Sequence, residues 1–312
     1  MLRSNNNLTI QPYSHLTISD QQSATKTMQL EEIRTIGVVG AGTMGQGIAQ
    51  VCAQAGYNTL LFDISAQVLE KAKQTTIKNL DEGIARGKLT EADKNAALSN
   101  LSYTGDTLQL SCDVIIEAVV ERLEVKHSIF RELASMNKPN TILASNTSSI
   151  PITQIAAAIP NPERLVGMHF FNPAHIMQLV EVISGAATSP ATAQTIKALA
   201  EKLGKTAVMA TDSPGFIVNR VARHFYVEGL KLLEEGVADM ETIDKLMQAS
   251  GFKMGPFELM DLIGVDTNYA VTASMFEAFH YDAKFRPSRL QQQKVDAGHH
   301  GRKSGKGFYI YE

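Results

Sequence analysis

Residues 33–45 read IRTIGVVGAGTMG. The first part, 33–39, is a short β-branched run that predicts a buried strand. The second part, Gly40-Ala41-Gly42-Thr43-Met44-Gly45, fits G-x-G-x-x-G and opens a predicted helix over 44–55 that Gly56 stops. Alone, the glycine pattern is weak; between a strand and a helix it has the context that a dinucleotide-binding turn requires. Gly40 allows the tight turn, Gly42 lets backbone approach a pyrophosphate, and Gly45 lets helix and strand pack closely. The helix start at Thr43 and Met44 presents free N–H groups and a partial positive charge to phosphates. Asp63 ends the next predicted strand, 59–62, where a carboxylate accepts hydrogen bonds from ribose hydroxyls and repels a 2′-phosphate. No Arg follows within 64–67, so NAD is favoured over NADP. The plainer alternative is a turn that only packs a helix on a strand; strand, helix and acid in register favour the cofactor.

Outward from this unit, strands are predicted at 113–120, 141–144, 165–170, 178–183 and 206–209. They alternate with helices at 66–85, 122–136, 151–158 and 191–203. Ser65 is a cap for the helix at 66, and Thr90 with Asp93 caps a further short helix. Such alternation implies a mostly parallel sheet covered on both faces. After Pro214 the pattern becomes helical to residue 297. The expected fold class is therefore α/β: a Rossmann-like, mostly parallel sheet domain followed by an all-α C-terminal domain. The expected divisions are 1–30 as a flexible N-terminal tail, 31–213 as the NAD-binding domain and 214–312 as a helical substrate and dimerisation domain.

Composition narrows the function. The 312 residues are 44% hydrophobic and 20% charged with net charge −3, an ordinary globular balance without a basic surface for nucleic acid. No run approaches the ~18 apolar residues of a membrane span. Cys52 and Cys112 stand in separate elements and build neither a disulfide framework nor a metal motif. A reducing, cytoplasmic setting fits. Residues 1–30, rich in Asn, Ser, Thr and Gln, lack the apolar segment of a secretory signal and the Arg-rich pattern of a transit peptide.

Residues 168–183 read MHFFNPAHIMQLVEVI. Two apolar strands flank the turn-like Asn172-Pro173-Ala174-His175. If the chain reverses near 175, His169 lies opposite Glu181, and opposed residues of an antiparallel pair have Cβ atoms about 4.5–5.5 Å apart. Glu181 is flanked by Leu179, Val180, Val182 and Ile183, where an unpaired carboxylate is costly. A histidine oriented by a carboxylate is a general-base unit. Its plainer alternative is a structural core pair.

Several segments resemble the 3-hydroxyacyl-CoA dehydrogenases, including the 3-hydroxybutyryl-CoA enzymes: 40–45, SNTSS at 145–149, HFFNP at 169–173, PGFIVNR at 214–220 and MGPFEL at 254–259. The resemblance spans about 33–311. Within the family, the segments DIS, ERLEVK, NPER and PGFIVNRVAR are most similar to the phenylacetate-degradation branch, whose substrate is 3-hydroxyadipyl-CoA. The resemblance implies catalytic positions at Ser148, His169, Glu181 and Asn219. Ser148 would bind the substrate 3-oxygen, His169 would exchange its proton, Glu181 would orient His169, and Asn219 would hold the thioester end. It also implies cofactor contacts at Glu121, Lys126, Ser148, Asn172 and Lys303, with Lys126 near the CoA path. A family CoA-contact serine falls on Asn79 and a family lysine on Arg86. His224 and Gly229 stand where relatives often have proline and alanine.

Each carried-over position has an ordinary alternative: Ser148 as a helix cap before Pro151, Asn219 as a helix surface residue, Glu121 and Lys126 as solvated charges, Lys303 in a floppy basic tail. The function implied is reversible, NAD-dependent oxidation of (3S)-3-hydroxyacyl-CoA to 3-oxoacyl-CoA, on a butyryl or adipyl chain, by a homodimer with no metal. Two rivals remain at this point: a catalytically silent NAD-binding structural protein, and a β-hydroxyacid dehydrogenase of free acids.

Overall fold

The computed structural model describes residues 27–311. The chain begins with β1 (Thr35–Val39), α1 (Thr43–Gln54), β2 (Asn58–Phe62), α2 (Ala66–Ala85), α3 (Glu91–Ser99) and β3 (Leu101–Thr104). It continues with β4 (Val114–Glu117), α4 (Leu123–Met136), β5 (Ile142–Ser145), α5 (Ile152–Ala156), β6 (Leu165–Phe170), β7 (Leu179–Ser184), α6 (Pro190–Lys202) and β8 (Thr206–Thr211). The strands form one sheet in the order β3-β2-β1-β4-β5-β6-β7-β8. Neighbours are parallel except β6 and β7, which are antiparallel. Every residue of β4 and β6 is buried, as expected of strands covered on both faces. Two apolar clusters cover the faces: one around Ile36, Ile48 and Val166, the other around Ile115, Phe130 and Leu143.

Local signals act as the sequence suggests. Ser65 Oγ accepts the Val68 N–H at 3.3 Å, and Thr90 with Asp93 forms a reciprocal capping box. Three expectations need correction. β3 is absent from the predicted strands, because four residues at the sheet edge offer too short a pattern. The strand predicted at 113–120 stops at Glu117, where the chain leaves the sheet. Residues 28–30, assigned to the tail, are folded: Met28 is buried in the sheet core and its carbonyl accepts from Thr195 Oγ1 at 3.0 Å. The rest of that expected tail, 1–26, lies outside the described residues.

Beyond β8 come α7 (Val218–Glu234), α8 (Met240–Ala249), α9 (Pro256–Ile263), α10 (Val265–Ala278) and α11 (Arg289–Asp296), around a core of Tyr226, Leu230, Phe257, Met260 and Phe308. Gly229 fits because a Cβ there would meet Pro256 Cγ at 2.7 Å. His224 stacks on Phe285, with centroids 5.2 Å apart. The C-terminal segment is strapped down: Asp261 accepts the Phe308 and Tyr309 N–H groups at 2.9 and 2.8 Å. No helix among the described residues is long and apolar enough to cross a membrane.

Candidate active site

The glycine turn has the shape that a pyrophosphate needs. Gly40 has φ +100°, a conformation that side chains rarely adopt. A Cβ on Gly45 would stand 1.7 Å from the Gly40 carbonyl oxygen, so only glycine lets α1 sit this close to β1. A Cβ on Gly42 would meet nothing within 4 Å, so that position is open on its outer side. Gly42, Thr43 and Met44 border a cavity of about 620 Å³, together with Asp63, Ile64, Val120 and Ile129. Its walls are mainly apolar, which suits an adenine ring, with the Asp63 carboxylate at the rim. Asp63 also shapes the turn, accepting from the Ala41 N–H and the Ser65 N–H, each at 2.9 Å.

The strand reversal brings His169 and Glu181 into direct register. His169 Nδ1 lies 2.8 Å from Glu181 Oε2, and Glu181 is fully buried. The carboxylate thereby fixes the proton on Nδ1 and leaves Nε2 to exchange a proton with a ligand. Phe171 and Phe216 flank the imidazole, with ring centroids at 4.5 and 5.7 Å. The other carboxylate oxygen, Oε1, accepts the N–H groups of Ile217 and Val218, each at 2.9 Å. These are free donors at the start of α7, where Ile217 has no side chain able to cap. Burial works to raise the Glu181 pKa; the His169 hydrogen bond and the Val218 N–H outweigh it and hold the carboxyl below its usual range. Asn219 lies half-buried in the same first turn of α7.

Ser148 sits on the loop after β5 and caps no helix. Its N–H donates to Glu121 Oε1 at 2.9 Å. The same oxygen accepts from Thr147 Oγ1 at 2.6 Å and from the Ser149 N–H at 3.0 Å. Glu121 is thus the organiser of the SNTSS loop. Burial opposes its ionisation, but the Lys126 charge and the Thr147 hydroxyl keep its pKa lowered. The expectation that Lys126 also lies on the CoA path is corrected: its side chain is 1% exposed and its ammonium is shared between Glu117 at 2.7 Å and Glu121 at 3.1 Å. Neither is it a solvated charge.

Sequence reasoning missed Glu117, which is fully buried. It accepts from Lys126 and, through Oε2, from Ser145 Oγ at 2.7 Å. A lone acid inside the apolar run 114–120 was the available signal. Asn146 was missed as well; its Oδ1 accepts the Phe170 N–H at 2.8 Å and ties the SNTSS loop to the His169 strand.

The remaining expected residues divide. Asn172 is exposed on the connection after His169. Asn79 and Arg86 share a second cavity of about 240 Å³ with Lys88 and His175. Asn79 donates to Gln50 at 3.1 Å and Arg86 to Glu82 at 3.3 Å. Burial, then the Lys205 charge, hold His175 below the usual histidine range, consistent with electropositive surroundings. Lys303 borders neither cavity; its ammonium pairs with Asp266 at 2.7 Å in the first turn of α10, and the turn that carries it is ordered rather than floppy.

Comparison with known proteins follows these features closely. The family model "3-hydroxyacyl-CoA dehydrogenase, NAD binding domain" matches residues 35–213, and "3-hydroxyacyl-CoA dehydrogenase, C-terminal domain" matches 215–311. The chain is 49% identical over 279 residues to the 3-hydroxyadipyl-CoA dehydrogenase of Escherichia coli, covering 89% of this chain but 59% of that protein. It is 44% identical to a probable 3-hydroxybutyryl-CoA dehydrogenase of Bacillus subtilis, covering 90% of this chain and 98% of the other. The crystal structure of (S)-3-hydroxybutyryl-CoA dehydrogenase from Ralstonia eutropha superposes with a TM-score of 0.86 at 43% identity, covering 90% of this chain and 99% of that one.

Proposed function

The chain belongs to the 3-hydroxyacyl-CoA dehydrogenase family, and from that premise we propose that it oxidises (3S)-3-hydroxyacyl-CoA reversibly to the 3-oxoacyl thioester, with NAD. The observation that carries this reading is the His169–Glu181 pair at 2.8 Å, set where the sheet meets the first turn of α7.

Gly40, Gly42, Thr43, Met44 and Gly45 hold the pyrophosphate and Asp63 holds the ribose; the open face of Gly42 and the acid at the cavity rim fit NAD. NAD held there would supply the acceptor for the hydride leaving substrate C3. His169 Nε2 takes the proton of the 3-hydroxyl, and ionised Glu181 stabilises the imidazolium that results. Ser148, fixed by Glu121, donates to the same 3-oxygen. Asn219 holds the thioester carbonyl. Asn172 would stand on the nicotinamide side, and Glu121 with Lys126 would support that end of the site. Lys303, on the C-terminal turn that Asp266 of α10 holds, would join the cofactor contacts. Asn79 and Arg86 meet the CoA phosphates.

Residues 31–213 form the NAD domain and 214–312 close the substrate cleft. Exposed apolar side chains on α7, α8 and α9, such as Val221, Leu246 and Leu262, support a homodimer. The similarity to the E. coli enzyme named for 3-hydroxyadipyl-CoA supports an adipyl substrate; a cytoplasmic place in phenylacetate degradation is the reading that such a substrate would fit. The test is NADH oxidation with acetoacetyl-CoA, beside a free 3-oxo acid. Turnover of the thioester alone supports the reading; turnover of the free acid alone would replace it with a β-hydroxyacid dehydrogenase, and binding of NAD without turnover would leave a silent structural protein.

A further inference from the structure

Arg223 is 3% exposed in the second turn of α7, and among the described residues no carboxylate pairs with it. Its Nη1 alone makes hydrogen bonds, all to neutral acceptors on α10: the Asn268 carbonyl at 2.9 Å, Asn268 Oδ1 at 3.1 Å and Thr272 Oγ1 at 2.9 Å. Nε is buried without a partner. Tyr226 lies under the guanidinium at 5.1 Å. Burial pulls its pKa down to about 10, which leaves it charged at neutral pH.

A buried cation satisfied only by neutral groups is costly unless an anion joins it. Nη1 is committed to α10, so the Nε–Nη2 edge is the free one, and two parallel N–H groups on one edge match a carboxylate bidentately. Arg223 stands four residues after Asn219. Side chains at i and i+4 share a helix face about 5–6 Å apart, and helical side chains lean toward the N-terminus, here the end that holds Glu181. An extended zigzag of five C–C bonds of about 1.5 Å spans roughly 6 Å, the separation of C1 from C6 in a six-carbon acyl chain.

We propose that the Nε–Nη2 edge of Arg223 receives a carboxylate at the far end of the acyl chain, which makes Arg223 the specificity residue for a six-carbon ω-carboxyacyl thioester. The assignment rests on the proposed function, in which Asn219 holds the C1 carbonyl.

The experiment compares kcat/KM for 3-hydroxyadipyl-CoA with that for 3-hydroxyhexanoyl-CoA, which has the same carbon count and a methyl end. The wild-type protein should prefer the adipyl ester by about tenfold or more, the scale of a charge-assisted bidentate bond. In Arg223→Met that ratio should fall toward one, and Arg223→Lys should keep part of it. Competition by adipyl-CoA against hexanoyl-CoA on the wild-type protein reads the same preference if Arg223→Met does not fold. A wild-type protein without the preference overturns the proposal, as does a ratio retained in Arg223→Met. Equal losses on both esters would show that Arg223 only ties α7 to α10, and dissociation of the assembly with the ratio intact would assign its anion to a second copy. Absence of turnover with any 3-hydroxyacyl-CoA would instead remove the dehydrogenase reading itself.

Discussion

Glu181 of β7 accepts the backbone N–H of Val218, at the first turn of α7, at 2.9 Å. The carboxylate that orients His169 is therefore also the cap of the first helix of the C-terminal domain. The two halves of the chain meet at one ionised group, and the charge of that group is shared between the His169 imidazole and a helix start. Any motion that draws α7 away from the sheet weakens the hold on the Glu181 charge, and with it the orientation of the imidazole.

Loss of the base unit gives the first expectation. His169→Ala should lower the rate of acetoacetyl-CoA reduction by about 10²- to 10⁴-fold, the contribution of general acid–base catalysis. Glu181→Gln should lower kcat while the Kd for NAD stays nearly constant, because the glycine turn lies on other strands. Steady-state rates beside NADH fluorescence titration separate the two. Full activity in His169→Ala would remove the mechanism.

Glu181 also carries a pH dependence. Its folded-state pKa lies below the ordinary 4.5, so the unfolded chain binds this proton first as pH falls. The stabilisation is complete above about pH 4.5 and disappears as pH drops through the depressed folded value. The Tm difference between wild type and Glu181→Gln should be constant near neutrality and shrink below pH 4.5. A difference that persists undiminished to the acid limit of folding would show that the pair adds no ionised-state stability.

The glycine turn separates folding from binding. Gly45→Ala places a Cβ 1.7 Å from the Gly40 carbonyl, so β1 and α1 must part and Tm should fall sharply. Gly42→Ala meets no protein atom within 4 Å, so Tm should hold while the Kd for NAD rises, because the methyl occupies the pyrophosphate approach. Calorimetry and NAD titration on both variants check the contrast; equal NAD affinity in wild type and Gly42→Ala would mean that the pyrophosphate lies elsewhere.

Much of this was legible because the deciding contacts are local or repeat at short period. The glycine turn, the Ser65 and Thr90 caps and the facing of His169 and Glu181 across a short reversal all follow from residues close in sequence. What stayed hidden depends on distant partners. Lys126 reads as a solvated charge until Glu117 is known to be buried beside it. Asn146 gains its role from Phe170, 24 residues away in the chain. Nothing in the sequence singles out Arg223; only the packing of α10 shows that it is enclosed.

Asp63 should set the choice between the two nicotinamide cofactors. Its oxygens accept from Ala41 and Ser65, yet each retains a lone pair for a ribose hydroxyl. Asp63→Ala should raise KM for NAD and narrow the NAD-to-NADP ratio of kcat/KM. An unchanged ratio would mean that another group reads the ribose. Asp63→Asn keeps the side-chain shape but only one of the two acceptors that hold Ala41 and Ser65, so its Tm, read beside the cofactor ratio, separates loss of the turn from loss of charge.

The buried Lys126–Glu117 pair makes the last expectation one of stability rather than chemistry. Both side chains are at most 1% exposed. Removing one partner leaves an uncompensated interior charge, at a cost of about 3–5 kcal/mol, whereas removing both leaves only the partly exposed Glu121 without its cation. Lys126→Met should therefore be strongly destabilised, and Glu117→Gln combined with Lys126→Met less so than Lys126→Met alone. Urea unfolding of the single and double variants measures the coupling. The double variant should still lose kcat, because Glu121 then loses its Lys126 contact and the loop bearing Ser148 is held less firmly. Equal destabilisation in the single and double variants would show that the Lys126 ammonium is hydrated rather than committed to Glu117.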